Sequence, residues 1–187
     1  MSLLTTASQT VGPYLKIGFA TLASNAIAPV DATGERVAIH GRLFDGDGKP
    51  VDDGALEIWQ ADARGKYASP ADTQDARVEA GFRGFGRVLT GGDGEFQFTT
   101  IKPGRVPGPG GALQAPHLAL VIFMRGSLRH LLTRIYFPHD PANAEDPILK
   151  LVPADRRATL IAKAAAPATF EWSIHMQGAN ETVFFDF

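Results

Sequence analysis

From Arg36 onward the chain alternates apolar and polar residues in short runs, and each run is closed by turn-forming residues. The stretches "RVAIHGRLF", "GALEIWQAD", "GRVLT", "EFQFTTI", "HLALVIFM" and "TRIYF" place apolar side chains at every second position, the period of a strand with one buried face. In "TFEWSIHMQG" Phe170, Trp172, Ile174 and Met176 share one face while Glu171, Ser173, His175 and Gln177 share the other, which predicts one half-buried strand. Turn punctuation separates the runs: "FDGDGKP", "TGGDGEF", "KPGRVPGPGG" and "GANET". About eight strands at this spacing predict a mainly β fold, an antiparallel β-sandwich with long loops and one or two short helices.

One segment departs from the strand period. In "ADRRATLIAKAAA", after Pro153, Leu160, Ile161, Ala164 and Ala165 fall on one helical face and the composition favours helix, so a packed helix is expected there. Residues 18–34 and 68–83 show no clear period, and there is no internal repeat or low-complexity tract.

Composition narrows the function classes. With 187 residues a single domain over 1–187 is expected, large enough for a sizeable core. The balance of 18 Lys+Arg against 20 Asp+Glu, net −2, argues against nucleic acid as a partner. Cysteine is absent, which excludes disulfides, thiolate metal sites and Cys nucleophiles. The opening "MSLLTTASQTVGPY" lacks a basic start followed by an apolar run, and no stretch approaches ~20 consecutive apolar residues. A soluble cytoplasmic protein with no membrane partner is expected.

Candidate chemistry is sparse. "DGDG" at 45–48 reads as a hairpin turn, because a calcium loop would need Glu at its twelfth position where Leu56 stands. The glycines of "KPGRVPGPGG" are interrupted by prolines and no helix start follows, so a loop is expected rather than a phosphate cradle. No GxSxG or HExxH motif occurs. His175 falls on a polar strand face, His139 in a "PHD" turn, and His40 and His130 without evident partners. His117 opens a strand directly after the glycine-proline loop, where a scaffold commonly presents functional groups to solvent. A strand supplying two imidazoles to a metal would read His-x-His, and here Ala119 takes the second place. On the residues alone, a core histidine and a metal ligand both remain open for His117.

The segments "SQTVGPY", "LEIWQADARGKY", "GFGRVLTGGDGEFQFTTIKPG", "APHLALVIFMRG" and "ETVFFDF" run in order through the chain. Together they make it similar to the intradiol aromatic-ring dioxygenases. Catalytic chains of that family hold a non-haem ferric ion with two tyrosinates and two histidines, a donor set suited to a hard cation. By that resemblance Tyr67 stands at the first tyrosine position and His117 at the first histidine position. Val106 stands at the second tyrosine position and Ala119 at the second histidine position, while Gln114 replaces an arginine. The resemblance therefore implies no metal site in this chain: Tyr67 and His117 are remnants, and no catalytic residue is carried here.

Heteromeric members of the family pair such α chains with catalytic β chains that hold the Fe(III), in a higher-order α/β oligomer. The implied activity is insertion of both oxygens of O2 between the hydroxyls of protocatechuate, giving 3-carboxy-cis,cis-muconate. Thr10, Gly12 and Pro13 of "QTVGPY" and Arg125 are then the expected substrate-binding residues, lining the partner's pocket. On a regular strand Arg125 would share the face of His117 at roughly 26 Å, so the two cannot serve one pocket. Two other readings are a self-sufficient dioxygenase for catechol or hydroxyquinol, which needs all four ligands and an N-terminal helical region, and a catalytically dead sandwich module that needs no partner.

Overall fold

The computed structural model describes residues 4–186, so Met1 to Leu3 of the segment read as lacking a secretory pattern, and Phe187, lie outside it. The alternating runs become strands β1 (Arg36–Phe44), β2 (Ala55–Trp59), β3 (Phe85–Leu89), β4 (Glu95–Ile101), β5 (His117–Phe123) and β6 (Leu131–Tyr136). Near the C-terminus follow β7 (Lys163–Ala166), β8 (Thr169–Glu171) and β9 (Ile174–His175). One sheet has the order β4-β1-β8-β7, with β9 also pairing β1; the other has the order β3-β2-β5-β6. Every pairing is antiparallel except those of β8 and β9 with β1.

The core lies between the two sheets. Alternation along β5 turns Leu118, Leu120 and Ile122 inward, all essentially unexposed, against Ile39, Leu43, Phe96 and Phe98 of the opposite sheet. Burial of each such side chain contributes about 1.5–3 kcal/mol. The other face of β5, carrying His117, Ala119 and Val121, looks away from this core.

The predicted single strand over 169–178 is interrupted. Phe170, Trp172, Ile174 and Met176 do all meet the core, but β8 and β9 are separated at Trp172 and Ser173. Opposite the interruption stands Gly41, where a Cβ would lie 1.9 Å from the Trp172 carbonyl oxygen. The missing side chain lets the two backbones approach.

The helix predicted over 154–166 does not form. Residues Arg157–Leu160 make a 3-10 turn, and the chain then extends into β7. Tertiary partners override the local preference here: the Ala162 N–H bonds the Tyr136 carbonyl at 3.0 Å, Leu160 is fully buried, and β7 pairs β8. The α-helix α1 instead spans Pro13–Phe19, inside "GPYLKIGF", with Gly12 as its N-cap and Pro13 at its first position. Proline suits that position because its missing N–H would have no helical partner. The "DGDG" stretch is a turn as expected: Asp45 Oδ1 accepts the N–H groups of Asp47 and Lys49, and Gly48 takes a φ of +76°. No helix among the described residues is long and apolar enough to cross a membrane.

Candidate functional site

Two places gather the residues singled out in the sequence, one at each end of β5. The first is built where β5 begins. The loop after β2, "QADARGKY", is pinned by Asp62, whose Oδ1 accepts the N–H groups of Arg64 and Lys66 and whose Oδ2 accepts that of Glu79. The loop continues to Tyr67, whose N–H donates to Asp72 Oδ2 at 2.8 Å, while Lys66 Nζ pairs with Asp72 Oδ1 at 3.0 Å. Burial opposes the Asp72 charge, but these N–H groups, that of Gln74 and the ammonium outweigh it and hold the carboxyl at about 2. Tyr67, Asp72, Gln74, Val106 and Trp59 line a cavity of about 400 Å³.

His117 is not presented to solvent: it is only 4% exposed. Its Nδ1–H donates to the Ala115 carbonyl at 2.8 Å, leaving Nε2 as the acceptor. Burial pushes the ring down to about 4, with the Arg134 guanidinium adding to the effect and the Ala115 bond and Asp146 opposing it. Burial likewise raises Tyr67 above the ordinary phenol range, with Arg134 working against the rise and Asp72 with it.

Arg134, Tyr136 and Asp146 complete this end, and none was singled out in the sequence. Arg134 Nη1 donates to Gln114 Oε1 at 2.6 Å and to the Tyr136 hydroxyl at 3.3 Å. The Tyr136 hydroxyl donates in turn to Asp146 Oδ1 at 3.3 Å, and Asp146, wholly buried, also accepts the N–H groups of Ala115, Ile148 and Leu149. Alternation in "LLTRIY" already places Arg134 and Tyr136 on one face; Asp146, in a loop, carries no comparable signal.

The second place lies beyond the other end of β5. Arg125 stands in the turn after Phe123, with its Nε paired to Asp53 Oδ2 and Nη2 at 3.3 Å from Asp52 Oδ1. The neighbouring Gly126 N–H donates to Thr10 Oγ1 at 2.9 Å, which draws the N-terminal segment onto the same turn. Gly12 and Pro13 follow shortly after Thr10, at the start of α1. Nothing lies within 4 Å of a Cβ built on Gly12, and its φ of −103° suits any residue, so this fold does not itself demand glycine there. Beside this region a cleft of about 490 Å³ is lined by Gln9, Val11, Phe123, Met124, His130 and Phe185. His130, without an evident partner in the sequence, lies with its ring 5.8 Å from that of Phe123. A larger concavity, about 660 Å³, is lined from both sheets, by His40, Gln97 and Glu171 on one and Val88 and Leu89 on the other, and includes none of these residues.

A family model described as dioxygenase matches residues 14–178, most of the chain. The chain belongs to the intradiol ring-cleavage dioxygenase family. It is 45% identical to the protocatechuate 3,4-dioxygenase alpha chain of Burkholderia cepacia, over 97% of this chain and 96% of that one. It is 35% identical to the beta chain from the same organism, over 86% of this chain and 72% of that one. Among solved structures, the dioxygenase domain of a carbohydrate-binding fusion protein from Streptomyces sp. SirexAA-E matches with a TM-score of 0.62 and 26% identity, covering 84% of this chain and 89% of that domain.

Intradiol dioxygenases are iron-dependent enzymes, and the residues present do not fit that ion. Val106 is buried and Ala119 faces the same side of β5 as His117, and neither side chain carries a donor atom. Burial holds Tyr67 towards its protonated form, and the Arg134 guanidinium acts on both Tyr67 and His117. Among the described residues no group of three or more His, Cys, Asp or Glu side chains could hold a metal ion.

Proposed function

We propose that this chain is the α subunit of a heteromeric protocatechuate 3,4-dioxygenase, whose complex inserts both atoms of O2 between the ring hydroxyls to give 3-carboxy-cis,cis-muconate. The ferric ion belongs to the catalytic β partner, and this chain shapes the substrate pocket and supports assembly in a higher-order α/β oligomer of the cytoplasm. One combination carries the reading: near full-length similarity to an α chain, together with metal-ligand positions at which Val106 and Ala119 offer no donor.

Thr10, Gly12, Pro13 and Arg125 are the residues that would meet the partner's substrate. The bond from Gly126 to Thr10, which brings the N-terminal segment to the turn of Arg125, supports this assignment, as does the open space above Gly12. Arg125 is ion-paired and yet its side chain is 60% exposed. Two contacts occupy Nε and Nη2 and leave further N–H groups for an aromatic carboxylate.

Substituting Arg125→Ala in the co-expressed pair tests the assignment. Steady-state oxygen uptake with protocatechuate is expected to show kcat/KM reduced by about tenfold or more, with iron per complex unchanged. An unchanged kcat/KM, or a parallel loss of iron, would overturn the role given to Arg125.

A further inference from the structure

Three short segments beyond the C-terminal end of β5 are tied to one another in a closed triangle. The turn at Asp52 and Asp53, between β1 and β2, meets the turn after β5 through Arg125, whose Nε pairs with Asp53 Oδ2 and whose Nη2 lies 3.3 Å from Asp52 Oδ1. That second turn holds the N-terminal segment through the bond from the Gly126 N–H to Thr10 Oγ1 at 2.9 Å. The third side is Lys16 on α1, whose Nζ donates to the Asp52 carbonyl and, at 2.7 Å, to the Thr90 carbonyl. One turn therefore anchors both Arg125 and the helix that follows Gly12 and Pro13.

The two carboxylates do not hold Arg125 equally. The Asp52 side chain is 59% exposed, and an ion pair so open to water adds little; Asp52 serves chiefly by its carbonyl. The Asp53 side chain is only 12% exposed, and its Oδ1 is buried without a hydrogen-bond partner among the described residues. Such a carboxylate is costly to leave unpaired, so its contact with Nε fixes the inner edge of the guanidinium and leaves outer N–H groups for a ligand. We infer that Asp53 is a positioning residue: acting through Arg125, it turns the guanidinium towards the carboxylate of an aromatic acid in the partner's pocket. An opposing effect exists and is weaker. The like charge Asp53 sets behind a bound carboxylate, screened at so exposed an arginine, costs on the order of threefold in affinity. Releasing a long arginine side chain forfeits up to about thirtyfold, so orientation wins by about tenfold.

This inference rests on the reading of Arg125 as a substrate-binding residue of an α/β complex. Its test uses the co-expressed pair carrying Asp53→Ala, Asp53→Asn, Arg125→Ala, or Asp53→Ala together with Arg125→Ala. Steady-state oxygen uptake gives KM and kcat for protocatechuate, and catechol, which lacks the ring carboxylate, is read as a competing ligand by its inhibition constant. Asp53→Ala is expected to raise KM for protocatechuate about tenfold, with kcat, iron per complex and the catechol inhibition constant within about twofold of the unsubstituted pair. Asp53→Asn, which keeps an acceptor oxygen for Nε, should fall between the two. The double variant should be no worse than Arg125→Ala alone, because Asp53 acts through that side chain. An unchanged or lowered KM in Asp53→Ala would overturn the inference, as would a parallel weakening of catechol or losses that multiply in the double variant. If Arg125→Ala itself leaves KM unchanged, the substrate-binding reading fails and the inference with it; if it raises KM and Asp53→Ala does not, only the role of Asp53 fails.

Discussion

His117 keeps a neutral ring in a buried place beside a cation, and this couples its protonation to folding. Its folded-state value of about 4 lies below the ordinary 6.5, because burial and then Arg134 disfavour the charged ring. As pH falls from 6.5 towards 4 the unfolded chain takes up the proton and the folded chain does not, so stability is lost across that window and levels below it. Between pH 7 and pH 5 the expected loss from this residue is about 2 kcal/mol. Urea unfolding of the wild type and of His117→Gln, which keeps a donor for the Ala115 carbonyl, checks it. The wild type should lose about 2 kcal/mol more than the variant between the two pH values, and equal losses would contradict the account. The sequence led to His117 by the Ala119 that follows it two places on. It could not show that the ring is buried, because burial depends on Tyr136 and on the turns around Asp146, which reach the site only through the fold.

At the scale of elements, the close approach of β1 to the edge formed by β8 and β9 depends on one missing side chain. In Gly41→Ala the new Cβ would meet the Trp172 carbonyl at 1.9 Å, and backbone on both sides must shift. A loss of more than about 2 kcal/mol is expected from urea unfolding. The comparison is Gly18→Ala on α1, where a Cβ meets nothing within 4 Å, and a gain of about 0.5–1 kcal/mol is expected. Similar effects at the two positions would contradict the packing described.

Strand alternation made most elements legible, since a half-buried strand writes its inward face at every second residue. It failed where local and tertiary preferences conflict. "ATLIAKAAA" has helical composition, yet Ala162 and the strand after it find hydrogen-bond partners in Tyr136 and β8. "PYLKIGF" carries Pro13 as a helix-start signal, but the seven residues of α1 are too few to show a period.

At the scale of the molecule, the two ends of β5 have separate fates. One end buries His117 beside Tyr136 and Arg134, with Tyr67 and Val106 lining a nearby cavity. The other end draws the N-terminal segment onto the turn that carries Arg125, the surface proposed above to meet the partner's substrate. The part given to Val106 and Ala119 in the proposed function was legible only through resemblance to a family, because a valine and an alanine carry no signal of their own. The central claim is that chemistry requires a companion subunit. Metal analysis and protocatechuate-dependent oxygen uptake of the chain purified alone, beside the chain purified with its β partner, test this most directly. The account expects iron, tyrosinate-to-iron colour and oxygen uptake in the pair and none of them in the lone chain. Stoichiometric iron and ring opening by the lone chain would contradict it.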